Sequence, residues 1–362
     1  METLVSNKKK YLGSLAFLVL LMGVTFYFLF KDNPIPQLLE TIRQVNPFFL
    51  LLGVLSMLGF ICCEAGNTKI IMESLRYKIS FLRHLKYSFV GFYFSSITPS
   101  ASGGQPMQMY YMKRDGVNLS ISSLTYLILI AVYQIVMLGY GVVMFFFKRE
   151  FVTASVNGIG ILLIYGFTIN ILLIGFIICA IFSKKLIRRF LFWGIRILSK
   201  IRIIKHTEQV MENTEHQLLE YQQGAQHIRK HPGVLIKVFL VTILQLTLSF
   251  LVPFFVYCSF GLTGHGLLEI LAIQSLLTIA VSSLPLPGAV GASESGFMTL
   301  FRLFFPSAML LPAMLLSRGI SFYLMLFISG AVSMITHCQK SKKIEREAER
   351  SALNAVHAPE NP

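Results

Sequence analysis

The sequence predicts an all-α polytopic membrane protein, with six transmembrane helices plus two re-entrant broken-helix hairpins in an inverted repeat. Two interrupted apolar segments, the composition and the placement of the basic residues carry that expectation. The interruptions are Ser95–Pro106 and Ser282–Glu294. Each opens with Ser-Ser and then brings Pro and Gly to a place where the flanking residues favour membrane helix. Pro and Gly release backbone groups there that lipid cannot satisfy, so such a break survives only inside protein or beside a water-filled cavity. A matched pair in corresponding halves is the best sequence pointer to a transporter's binding site.

Hydrophobic residues make up 54% and charged residues 14% of 362, and the mean hydropathy is +0.66. A soluble domain carries about 25% charged residues. The net charge of +15 would suit nucleic acid, but the basic residues cluster beside apolar spans and no nucleic-acid motif accompanies them. Nucleic-acid binding is therefore not expected. Five cysteines (Cys62, Cys63, Cys179, Cys258, Cys338) lie in or beside apolar spans without metal-like spacing. Buried apolar packing is their default, and neither a metal nor a cofactor is expected.

A membrane helix needs about 20 mostly apolar residues. The first candidate, Tyr11–Phe30, is too long for a signal-peptide core and is followed by no small-residue cleavage site, so it reads as retained. Pro47–Met72, Ile121–Phe147, Gly158–Phe182, Val234–Phe260 and Ser307–His337 follow. The broken segments, roughly Leu85–Tyr111 and Leu267–Phe305, lie between them.

If both are hairpins, 25 of the 32 Lys and Arg residues fall on one side. These are Lys8–Lys10, the Arg76–Lys86 loop, Lys113, Arg114, the Lys184–Lys237 stretch and the tail from Lys340. The bias places both termini in the cytoplasm. The first hairpin then enters from inside and the second from outside, as an inverted repeat requires. Eight full crossings would instead put the Lys184–Lys237 cluster outside.

Residues 1–338 read as one membrane domain and 339–362 as a short cytoplasmic tail. Within the cytoplasmic segment 183–233, Val210, Thr214, Leu218, Tyr221, Ala225 and Ile228 recur at helical steps before Pro232. This amphipathic helix either lies on the membrane or caps the bundle as a structural element, or grips anionic headgroups through Lys184, Lys185, Arg188 and Arg189.

Ionisable groups inside a membrane are costly and so are functional candidates by default. Glu294, at the second break, is either a cap of the returning half-helix or a charge facing a cavity. Arg318 either neutralises Glu294 or Glu269 or binds a lipid phosphate, for which a planar guanidinium is suited. Glu64, Lys69 and Glu73 after the apolar half of the second span, Glu269 before the second break and Arg302 after it complete the ionisable candidates, of which Glu64 and Glu269 join the candidate binding residues. At the first break, Gly103, Gly104 and Gln105 form either a plain tight turn or the start of a half-helix near Pro106 that aims free N–H groups at a phosphate oxygen. The two breaks are expected to meet near the midplane and line a polar cavity open toward lipid. No catalytic set is read. Gly291-Ala292-Ser293-Glu294-Ser295 lacks the last glycine of a nucleophile elbow, and no Glu follows His227 to make a zinc motif with His231.

The run Gly91–Pro106 and the Pro-Leu-Pro-Gly…Gly-Ala-Ser-Glu run Pro285–Glu294 resemble the lysylphosphatidylglycerol synthetase/flippase transmembrane family. The likeness spans about Lys10 to Lys340. It implies a multi-pass protein of the bacterial inner membrane related to flippases that move aminoacylated phosphatidylglycerol. The implied partner is a membrane phospholipid, anionic or aminoacylated, and a homo-oligomer is compatible with this. In larger family members a C-terminal cytosolic domain transfers lysine from lysyl-tRNA. Such a domain would have to begin after His337, where only Cys338–Pro362 remains. A phosphatidylglycerol lysyltransferase is thus the alternative to a carrier, and nucleic-acid binding, to lysyl-tRNA, is expected only under that alternative. The resemblance carries over Glu294 as a charged residue at a broken helix, whereas Gln105 stands where a basic residue is expected.

Overall fold

The computed structural model describes residues 18–20, 22–25, 27, 31, 35–148, 160–182, 188–189, 192–193, 196–197, 199 and 207–338. Among them every regular element is helical and none is a strand. Most of the Tyr11–Phe30 span lies outside the described residues, as do Lys8–Lys10, Lys184, Lys185 and the tail from Lys340.

After a short α1 (Ile35–Arg43), the chain forms α2 (Pro47–Ser74), α3 (Phe81–Ile97), α4 (Gly104–Arg114) and α5 (Leu119–Phe147). Beyond α6 (Gly160–Phe182) and α7 (Thr207–Lys230), a second series follows. It comprises α8 (Pro232–Ser259), α9 (Leu267–Ser282), α10 (Ala292–Leu300) and α11 (Ser307–Cys338). Helices α2, α5, α6, α8 and α11 are each long and apolar enough to cross a membrane.

The two series match element by element. Both α2 and α8 have 28 residues and begin on a proline, whose missing N–H has no partner to lose at a helix start. A 3₁₀ turn, Pro99–Ala101, separates α3 from α4, and another, Pro287–Ala289, lies between α9 and α10. Neither long arm reaches the length of a full span: α3 has 17 residues and α9 has 16.

Helices α2 and α8 share the largest interface and run antiparallel. The Asn46 N–H at the head of α2 donates to the Ser259 carbonyl at the foot of α8. Further along, Gly59 faces Leu248. Beyond it the Asn67 amide donates to Thr242 Oγ1 at 3.1 Å and to Gln245 Oε1 at 3.2 Å. Polar pairs of this kind hold helices together where lipid supplies no hydrophobic drive.

The largest apolar cluster surrounds the second hairpin, with Met57, Val252, Ile273, Phe297, Phe301 and Met314 at its centre. Helix α7 lies across the bundle: Tyr221, Ala225 and Ile228 are buried in one cluster with Leu124 and Ile128 of α5, and Leu218 is buried too. Its Glu220 accepts from Asn118 and Ser120 at the start of α5. These contacts pack α7 on the bundle; Lys184 and Lys185, which carry the headgroup reading, lie outside the described residues. The cysteines depart from the expected buried state. All five are free, and Cys62, Cys179 and Cys338 are exposed, because they fall on helix faces that no described helix covers.

Candidate functional site

Each break turns the chain through two consecutive left-handed residues. In the first turn these are Ser100 (φ 51°) and Ala101 (φ 54°); in the second they are Gly288 (φ 57°) and Ala289 (φ 50°). Residues with a Cβ avoid this region, so the surrounding structure must over-determine the turns. The two turns lie against each other. Around them Leu18, Ile97, Val290 and Phe322 form one buried cluster, joined by Tyr93, Phe94 and Tyr323.

Polar groups hold the first turn shut. The Gly103 N–H donates to Thr98 Oγ1 at 2.8 Å, and the Thr98 hydroxyl donates to the Phe94 carbonyl at 2.6 Å. Helix α4 begins at Gly104, two residues before Pro106. A Cβ on Gly104 would stand 2.0 Å from Ser95 Oγ, so this glycine allows α3 and α4 to close. Gln105 is half-buried on the first turn of α4.

The second turn holds the charges. Glu294, three residues into the returning helix, is 1% exposed. Its Oε2 accepts from the Gly291 N–H at 2.7 Å, capping α10. Its Oε1 accepts from Arg318 Nε at 2.9 Å and from the Tyr323 hydroxyl at 3.2 Å. Arg318 Nη2 also donates to the Gly288 carbonyl at 3.0 Å, and the guanidinium lies 4.5 Å from the centre of the Phe322 ring. A guanidinium has five N–H donors; these two bonds leave three, and the Arg318 side chain is 15% exposed. Arg318 stands at the head of a π-helical turn, Gly319–Leu324, inside α11. Such turns are frequent at functional sites.

The other candidates lie elsewhere. Glu269 is at the far end of α9 from the break, where Lys148 Nζ reaches it at 3.1 Å and His265 Nδ1 at 3.0 Å. Lys148, His265 and the Gly266 N–H together give its carboxylate oxygens polar partners at this end of the helix. Arg318 therefore pairs with Glu294 and not with Glu269. Glu64, on α2, accepts at Oε1 from Gln108 Nε2 at 2.8 Å.

Tyr323 and Gln108 escaped the sequence reading. Gln108 lies one helical turn beyond Gln105 on α4, and Gly91 opposite it was the available signal. A glycine inside a helix costs about 1 kcal/mol relative to alanine and so marks a close approach; here a Cβ would stand 2.2 Å from Gln108 Nε2. Among the described residues no group of three or more His, Cys, Asp or Glu side chains is placed to hold a metal.

Residues 12–329 match the family described as lysylphosphatidylglycerol synthase TM region. The chain is 25% identical over 318 residues to a UPF0104 membrane protein of Archaeoglobus fulgidus, covering 85% of this chain and 92% of that one. It is 22% identical over 322 residues to a UPF0104 membrane protein of Pyrococcus horikoshii, covering 87% and 95% respectively.

Proposed function

The chain belongs to the lysylphosphatidylglycerol synthase TM-region family, and from that premise we propose that it is a flippase-like carrier of a phospholipid headgroup. An aminoacylated phosphatidylglycerol or another lipid-linked headgroup is the substrate, and the bacterial inner membrane is the site of action. In this reading residues 1–338 form one membrane unit with both termini cytoplasmic. The first hairpin enters from the cytoplasm and the second from outside. The antiparallel α2 and α8 support this arrangement, because corresponding helices of an inverted repeat run in opposite directions.

The observation that carries the proposal is the Glu294–Arg318 pair at a broken helix. Charge inside a membrane protein is costly and marks substrate paths. Arg318 keeps donors beyond those Glu294 and Gly288 take, and a planar guanidinium suits a phosphate oxygen. Glu294 sets the position of that guanidinium and complements a cationic aminoacyl group. Gly103, Gly104 and Gln105 line the path from the facing turn. The lipid tails stay in the bilayer while the headgroup crosses between the turns, and rocking of the two hairpin units exposes it to each leaflet in turn.

The test is translocation of fluorescent phosphatidylglycerol in proteoliposomes, read by quenching from outside. Glu294→Gln keeps the size and most hydrogen bonds while removing the charge, and it is expected to slow translocation about tenfold, the effect of roughly 1.4 kcal/mol. A wild-type rate in a folded Glu294→Gln protein reduces Glu294 to a helix cap and sinks the site. Lysylated lipid formed by this chain from lysyl-tRNA would favour the transferase instead.

A further inference from the structure

The two hairpins treat their carboxyl groups differently. Glu294 is met by a guanidinium, a phenol and a backbone N–H. Glu64 is met by one neutral amide: Gln108 Nε2 donates to its Oε1, and no described residue donates to Oε2. Helix rise places Glu64 about 15 Å from Ser74 at the end of α2, half of a 30 Å hydrocarbon core.

Among the described residues no cation pairs with it. On α2 itself, Lys69 pairs with Glu73, toward the helix end. From α5 the neighbouring side chains with an ionisable group are the phenols of Tyr126 and Tyr133, neither of them a cation. Helix α4 presents the Gln108 amide, and Thr242 and Gln245 of α8, bonded to the nearby Asn67, are uncharged. A carboxylate without a counter-charge in a low-dielectric setting is expensive, and taking a proton removes that cost.

The contact with Gln108 is built rather than incidental. Gln108 is 2% exposed and reaches Glu64 across Gly91 of α3, where a Cβ would stand 2.2 Å from its amide nitrogen. Three elements, α2, α3 and α4, are thus shaped around one carboxyl. Glu64 is itself only half-buried, which leaves its free oxygen reachable.

We propose that Glu64 is a proton-binding site, distinct from the Glu294–Arg318 pair, through which movement of the first hairpin is coupled to a proton gradient. The Oε2 of the ionised carboxylate takes a proton from hydronium on one side of the membrane. The neutral acid lets α2 and the first hairpin move without carrying a bare charge, and the proton returns to water on the other side. No bond other than O–H forms or breaks. The coupling rests on the carrier reading above, whereas the proton site does not.

The first test is infrared spectroscopy of the full chain in lipid nanodiscs near neutral pH. A carbonyl band of a protonated carboxylic acid is expected, lost in Glu64→Gln and retained in Glu294→Gln. Gln108→Leu removes the hydrogen bond to that carbonyl and is expected to move the band to higher frequency, which a purely structural role would not do. No such band in the wild type, or a band that survives Glu64→Gln, overturns the proposal. The second test imposes a pH gradient on proteoliposomes. The wild type is expected to translocate lipid several-fold faster with the gradient than without it, and Glu64→Gln equally in both. A wild type indifferent to the gradient removes the coupling. If no lipid moves under any condition while the band behaves as expected, the carrier reading falls and the proton site stands.

Discussion

Arg318 Nε donates to Glu294 Oε1 at 2.9 Å across 24 residues of sequence, and Nη2 of the same guanidinium donates to the Gly288 carbonyl. One side chain of α11 thereby fixes both the turn and the first helical residues after it. The pair is nearly dry, with side-chain exposures of 15% and 1%. Breaking it from one side leaves a buried charge alone.

Arg318→Met is expected to destabilise the protein by about 3–5 kcal/mol, the cost of orphaning a buried partner. Thermal unfolding in detergent measures this. The double variant Glu294→Gln/Arg318→Met should recover much of the loss, since neither charge remains. If the double variant is as unstable as Arg318→Met, the pair is not what supports the turn.

Arg318→Lys should separate folding from transport. An ammonium keeps the charge but lacks the planar fork that serves Glu294 and Gly288 together. Melting should fall less than in Arg318→Met, because the buried charges still pair, while translocation drops about tenfold. Equal transport by the lysine variant would mean that a point charge is sufficient.

Gly288→Ala is expected to cost about 1–3 kcal/mol, since Gly288 adopts φ 57° and an added Cβ would stand 2.2 Å from the Phe322 ring. Trimming the ring in Gly288→Ala/Phe322→Leu should return part of that loss, measured as a melting shift. No recovery would assign the whole cost to the backbone.

Asn67→Ala removes both hydrogen bonds from α2 to α8. Cross-helix polar contacts within membranes are worth about 0.6 kcal/mol on average and rarely above 1.7, so a loss of about 1 kcal/mol is expected. A loss of several kcal/mol would show that the antiparallel pair depends on this contact more than on its apolar surface.

Topology is open to single-cysteine labelling in a background where the five native cysteines are replaced. A cysteine at His206, outside the described residues, or at Glu215 on α7 should react only from the cytoplasm. One at Gly264, between α8 and α9, should react from outside. Labelling of position 206 from outside intact cells would defeat the opposed-hairpin arrangement.

Where the chain is apolar enough to span, and where it breaks, can be read directly along the sequence. Both are local properties: about 20 apolar residues satisfy lipid, and Pro-Gly runs unsatisfy a helix backbone wherever they occur. Ser95–Pro106 and Ser282–Glu294 were legible for that reason, and so were Glu294 and Arg318 as isolated charges. Which polar groups meet was not local. Arg318 had Glu294 and Glu269 as equal partners in sequence, until α9 carried Glu269 to its far end beside Lys148. Gln108 and Tyr323 look like ordinary helix residues, and only the rotation of α4 about its axis and the π turn in α11 aim them at Glu64 and Glu294. The antiparallel pairing of α2 with α8 was likewise decided by tertiary structure. Hydropathy sees how much of a helix is apolar but not which face meets which neighbour, and small residues and single amides such as Gly59 and Asn67 set that choice.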